Sequence, residues 1–147
     1  MNNLVIKIAD SSQEIADIKI IRKTVFQLEQ NIPSNLDFDG LDDTSLQIIA
    51  YLDKQPVATA RIRNIDEKTV KIERLAVLPH VRRQGIGKKM TEKALEIAAA
   101  QNIHEVLIHA QEYIKSLYEK LGFIETGEKF IEAGIPHIKM KRHIKHK

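Results

Sequence analysis

The sequence predicts an α+β fold built on a mainly antiparallel central sheet. Two observations carry this. Three strand-like runs, SLQIIAYL, VATARIRNI and VKIERLAVL, are separated only by the short turns DKQP and DEKT, and such spacing makes hairpins. Stretches with helical periodicity stand before and after them, so helices and strands do not alternate regularly as they would in a parallel sheet.

The elements follow in chain order. NLVIKI at residues 3–8 alternates apolar and polar and predicts a first strand. Ser11 or Ser12 can cap the helix after it, with Glu14 in its first turn. Ile15, Ile18, Ile20, Ile21, Val25, Phe26 and Leu28 recur at helical spacing to about Gln30, and Pro33 stops the run. NIPSNLDFDGLDD is acidic, rich in turn formers and expected to be an ordered loop. The three hairpin strands come next, ended by Pro79. A helix is expected over 85–101, burying Ile86, Met90, Ala94, Leu95, Ile97 and Ala98. HEVLIHA reads as a core strand, YIKSLYEKL as a helix closed by Gly122, and FIETGEKFIEAGIPHIKMKRHI as a final pair of strands. No repeat or linker interrupts the chain, so residues 1–147 are expected to form one domain.

Composition narrows the functions. The 147 residues carry a net charge of +3, with 43% hydrophobic and 29% charged residues, which is ordinary for a globular protein. Without cysteine, the chain has no disulfide, thiolate metal site or cysteine nucleophile. No paired histidine spacing supports a metal, and none is expected. The N-terminus lacks the apolar core of a signal peptide, and no run is long enough to span a membrane. A cytoplasmic protein is the expectation. The tail KMKRHIKHK is basic, but no aromatic residue is interleaved with it, so nucleic acid is a minor alternative. A solvated, disordered tail is the simpler expectation.

The informative stretch is VRRQGIGKKM at 81–90, between a strand and a helix. The first N–H groups of a helix have no partner within it and carry partial positive charge. Gly85 and Gly87 remove side chains that would hold a phosphate away from those amides, and Arg82, Arg83 and Lys88 add full charges. The implied chemistry is a phosphate or diphosphate cradle. It is neither a Walker loop nor a dinucleotide fingerprint, whose third glycine is missing.

Arg82-Arg83-Gln84-Gly85-Ile86-Gly87 matches Arg/Gln-x-x-Gly-x-Gly/Ala, and here the chain resembles the GNAT N-acetyltransferase superfamily. IERLAVLPHVR and SLYEKLGF extend the likeness. VFQLEQNIP, VATARIR, HAQ at 109–111 and EAGIPHIKM are similar to the ElaA/YjcF-type branch. One departure is Leu117, where an aromatic residue often stands. The resemblance implies a GNAT-like sheet with a splayed middle strand and helices on both faces. It implies acetyl-CoA as co-substrate, its pantetheine arm pairing with the backbone of Leu75, Ala76 and Val77. Its diphosphate would sit on the amides of Gln84 to Lys88, Ile86 among them. It implies Tyr118 beside the thioester sulfur.

Acetyl transfer to an amine needs a proton acceptor for the amine, a donor for the leaving thiolate and a hydrogen bond to the carbonyl oxygen. Tyr118 is the candidate donor, and the Leu75–Val77 backbone the candidate oxyanion partner. For the base, Glu73 precedes Leu75 by two positions and is expected on the same strand face. It can equally pair with Arg61, Arg63 or Lys71. His109, at the end of the fourth core strand, and His137, in the last hairpin, are the other candidates. Glu29 and His137 are expected on the acceptor side. The acidic loop of Glu29, Asp37, Asp39, Asp42 and Asp43 would either attract a cationic amine or be plainly solvated. The expectation is therefore an N-acetyltransferase acting on a small-molecule or peptidyl primary amine, the alternative being a catalytically silent acetyl-CoA binder. Free strand edges leave a homodimer open.

Overall fold

The short turns of the sequence set the architecture. In a computed structural model describing residues 3–146, Asp53 and Lys54 both take left-handed backbone (φ 50° and 72°) and join β2 (Leu46–Leu52) to β3 (Gln55–Asn64). β3 then pairs antiparallel with β4 (Thr69–Val77), and β1 (Leu4–Ile8) with β2. Met1, Asn2 and Lys147 lie outside the described residues.

Among the described residues, all eight strands join one sheet, in the order β1-β2-β3-β4-β5-β8-β6, with β7 on β8. β5 (Glu105–Gln111) is the parallel partner of β4, as a strand entered through a crossover helix must be. The final segment makes three strands, not two: β6 (Ile124–Glu125), β7 (Phe130–Glu132) and β8 (Ile135–His143). The basic tail is accordingly not a loose appendage. Met140 is fully buried, Arg142 donates to the Leu121 carbonyl at 2.7 Å, and His146 Nε2 lies 2.6 Å from the Ile103 carbonyl.

Two apolar layers sandwich the sheet. On one face, α3 (Ile86–Ala100) buries Ile86, Met90, Ala94, Leu95 and Ala98 against Ile48, Ala60, Ile62 and Val70. Ile97 is only partly buried. The short α4 (Lys115–Lys120), preceded by a 3-10 turn, adds Leu117 and Tyr118 to the same side. On the other face lies α1 (Ser12–Arg22), capped by Ser11, whose hydroxyl accepts from the Glu14 amide at 3.2 Å. The helical run does reach toward Gln30, but it widens into a π-helix over Lys23–Glu29. That widening still buries Val25 and Phe26 with Ile18 and Ile21 against Ile49 and Ala76.

The 31–43 loop contains a one-turn helix, α2 (Ser34–Asp37), and three of its four carboxylates turn inward, Asp43 staying exposed. Asp37 accepts from the buried Arg22, Asp39 from Arg61 and Arg74, and Asp42 from both Arg22 and Arg61. Arg22 and Arg61 are each 1% exposed, and buried guanidinium ions require such partners. Asp37, Asp39 and Asp42 therefore hold the loop to the sheet and do not form an acidic rim.

Candidate functional site

Two local irregularities open the site. β4 and β5 pair only from Thr69–Ile72 to Glu105–Ile108, and beyond that point the strands diverge. At the same place β4 carries a bulge. Arg61 opposes Glu73 and Thr59 opposes Ala76, so Arg74 and Leu75 together face Ala60. Arg74 takes φ 54°, a conformation uncommon for a residue with a side chain.

The bulge changes which side chains share a face. Glu73 and Ala76 lie toward α1, whereas Leu75 and Val77 pack on the α3 side. The strict alternation that would put Glu73 with Leu75 fails by one residue.

A cleft of about 670 Å³ runs through the splay. On the α3 side it is lined by Leu75, Val77, Arg82, Arg83, Gly85, Ile86, Gly87, Lys88 and Tyr118. On the other side it meets Phe26, Gln30, Leu36, Glu73, His109, Glu132 and His137. Gln84, Glu29 and the side chain of Ala76 are not part of its lining.

The start of α3 has the form that a phosphate cradle requires. Gly85 is the N-cap of α3 with φ 77°, and no side chain caps the helix. The first amide bonded within the helix is that of Lys89, to the Gly85 carbonyl at 3.1 Å, which leaves the amides of Ile86, Gly87 and Lys88 open. No acidic residue occupies the first turn. A Cβ on Gly85 would meet nothing within 4 Å, so the glycine answers to backbone conformation and to a close visitor, not to crowding. Arg82 is already engaged. It donates to both Glu29 oxygens, at 2.6 and 2.5 Å, and to the Val77 carbonyl at 3.0 Å. Glu29 is thus tied to the cradle loop and does not line the acceptor side.

Tyr118 is 4% exposed and packs edge-on against Phe123. Burial pushes its phenol well above the ordinary range, so it is protonated at any physiological pH. Among the described residues its hydroxyl has no hydrogen-bond partner.

Glu73 is surrounded by cations. It accepts from Arg61, from Arg63 at 2.8 and 3.1 Å, and lies 3.1 Å from Lys71 Nζ. Burial alone would raise its carboxyl, but the hydrogen bonds from Arg63 and Arg61, with the charges of Arg61 and Lys71, lower it to about 2. Such a carboxylate is a weak proton acceptor near neutral pH.

The opposite wall is a two-histidine arrangement. The Ala133-Gly134 turn (φ 52° and 77°) folds β7 onto β8, placing Phe130 opposite His137. β5 on β8 places Gln111 opposite His137 and His109 opposite Lys139. Phe130 contacts both imidazoles, edge-on to His109 and stacked on His137. Glu132 reaches both: its Oε1 is 3.2 Å from His109 Nδ1 and its Oε2 is 3.7 Å from His137 Nε2. Glu132 was not singled out by the sequence. The signal for it was the Ala-Gly turn, which fixes the register and so the face it shares with His137.

Comparison with known proteins agrees with this geometry. The family model described as an acetyltransferase (GNAT) domain matches residues 11–144. The chain is 36% identical over 137 residues to the uncharacterized N-acetyltransferase YjcF of Bacillus subtilis, covering 92% of this chain and 96% of that one. It is 33% identical over 128 residues to protein ElaA of Escherichia coli, covering 84% of each. The crystal structure of Escherichia coli ElaA superposes with a TM-score of 0.84 at 30% identity, over 97% of this chain and 99% of that one. A GNAT acetyltransferase from Elizabethkingia anophelis, solved with acetyl-CoA bound, shares the fold at TM-score 0.76 and 17% identity, over 97% and 99% of the two chains. The splayed β4–β5 pair, the uncapped helix start beside it and the family match together establish that this chain belongs to the GNAT acetyltransferase family.

Proposed function

We propose that the protein transfers the acetyl group of acetyl-CoA to a primary amine by direct attack within a ternary complex. One observation carries the reading. The open amides of α3, the unpaired side of β4 and the protonated Tyr118 all face one cleft that passes through the sheet. The diphosphate sits on the amides of Ile86, Gly87 and Lys88, with Arg83 and Lys88 beside it. The pantetheine amides pair with β4 at Leu75–Val77 as an added strand would. That leads the thioester toward the splay, where a β4 amide can hold the carbonyl oxygen as it gains charge.

Tyr118 then supplies the proton to the departing thiolate. Its buried phenol is a poor acid toward water, but a desolvated thiolate against it is a correspondingly strong base. The amine enters from the side of Phe26, Leu36, His109 and His137, where either histidine can accept its proton. The 670 Å³ cleft suits a small amine or an extended lysine side chain beside the cofactor arm.

The test is turnover. Acetyl-CoA is incubated with a polyamine, an aminoglycoside, an aromatic amine and a lysine-containing peptide, with thiol release and acetylated product both measured. Equal amounts of free CoA and N-acetyl product with at least one amine are expected. Binding of acetyl-CoA with no product from any of them would mean a silent binder.

A further inference from the structure

The chemistry of the His109–Glu132 contact fixes a proton. A carboxylate accepts hydrogen bonds and cannot donate, so the 3.2 Å contact requires the hydrogen to be on His109 Nδ1. Glu132 is ionised, its carboxyl lowered first by the hydrogen bond to His109 and only partly opposed by burial. In the neutral imidazole the lone pair is then on Nε2, which among the described residues has no partner. The same logic applies to His137. Its Nδ1 lies 2.7 Å from the Ile135 carbonyl, which also only accepts, so its Nε2 too is the bare nitrogen. Two imidazoles and one carboxylate thus stand on one wall of the cleft beside the Phe130 ring, with His109 Nε2 unpartnered among the described residues and His137 Nε2 facing Glu132 Oε2 at 3.7 Å.

From this we infer that His109 is the base that deprotonates the amine and that Glu132 is its positioning residue. The inference rests on the acetyltransferase reading above. Glu132 holds the imidazole in its Nδ1–H form and stabilises the imidazolium. His137 Nε2 is 3.7 Å from Glu132 Oε2, beyond hydrogen-bond range, and its Nδ1 is tied to a carbonyl, so Glu132 does not hold its ring as it holds that of His109. Other charged groups around His109 are Lys71 and Glu73 on β4, Lys139 opposite it on β8, and His137. Glu73 is neutralised by its own three cations, so Glu132 is the carboxylate left to balance an imidazolium.

An N–H bond of the ammonium breaks and its proton passes to His109 Nε2. The freed lone pair forms the N–C bond. The C–S electron pair goes to sulfur, which takes the Tyr118 proton. The phenolate recovers a proton from the acylated nitrogen, and His109 returns its own to solvent.

Two measurements test the assignment. Nitrogen-15 spectra of uniformly labelled protein across pH 5–9 read the tautomer without any turnover. Wild type is expected to show His109 Nδ1 protonated in its neutral form, kept in Glu132→Gln and lost in Glu132→Ala. An Nε2–H tautomer in wild type overturns the proposal. The second measurement is the pH profile of kcat/KM with the best amine of the panel above. His109→Ala is expected to lose about 10²–10⁴-fold and the acid limb with it. Glu132→Gln, with the hydrogen bond kept and the charge gone, should move that limb down by about one pH unit, while the acetyl-CoA Kd stays unchanged in both. An unaltered profile in both variants overturns the dyad alone. A wild type that binds acetyl-CoA but acetylates none of the amines overturns the dyad and the transfer reaction together.

Discussion

Replacing Glu73 by glutamine separates the two roles open to that residue. Its carboxylate lies among Arg61, Arg63 and Lys71, with a side chain 5% exposed. Its pKa falls from an ordinary 4.5 to about 2. At 1.36 kcal/mol for each tenfold change, this corresponds to about 3 kcal/mol of stability. The sign follows from the lowered value: the contribution is complete above pH 4.5 and disappears as pH falls toward 2. Glutamine removes the charge at every pH and leaves three cations with one fewer counter-ion. Breaking one side of a buried ion cluster costs about 3–5 kcal/mol. For a chain of this size, 3 kcal/mol lowers the melting temperature by about 6–12 °C. Urea unfolding at pH 7 reads the loss, and the gap between variant and wild type should narrow below pH 4. The acid limb of kcat/KM should stay where it is in wild type. A Glu73→Gln protein as stable as wild type, with that limb abolished, would instead make Glu73 the base.

Three further outcomes follow from the same geometry. Tyr118→Phe removes a hydroxyl without a protein partner, so stability should change by less than about 1 kcal/mol. Its kcat should fall about 10²–10⁴-fold with little change in acetyl-CoA affinity, read by stopped assays and calorimetry. Glu29→Gln breaks the exposed pair with Arg82 and should cost no more than about 1 kcal/mol in urea unfolding, because solvent screens it. Gly122→Ala places a Cβ at φ 88° and 3.4 Å from Arg142 Nε, so thermal unfolding should show a loss of about 1–2 kcal/mol.

What the sequence made legible was local. The turns DKQP and DEKT announce two hairpins, and the Ser11 cap and Gly85 mark helix starts. VRRQGIGKKM shows its chemistry because an uncapped helix start with two glycines and basic residues is a contiguous pattern. The rest depends on distant partners. The bulge at Arg74 has no glycine to betray it; it is held by the loop carbonyls of Leu36 and Asp37 and by Asp39. The acids of that loop look solvated until Arg22 and Arg61 are placed beneath them. The basic tail looks disordered because its alternation is masked by lysines on the exposed side of β8. Glu132 becomes a neighbour of His109 only once β7, β8 and β5 are in register.

The central claim is that VRRQGIGKKM holds the diphosphate of acetyl-CoA. Calorimetric titration of acetyl-CoA into wild type and into a Gly85→Glu, Arg83→Glu double variant tests it most directly. Circular dichroism would show that the variant keeps its fold. The account predicts wild-type binding with a Kd of about 1–10 µM and at least a hundredfold weakening, about 2.7 kcal/mol, in the variant. A folded wild type that binds no acetyl-CoA, or a variant that binds it equally well, would contradict it.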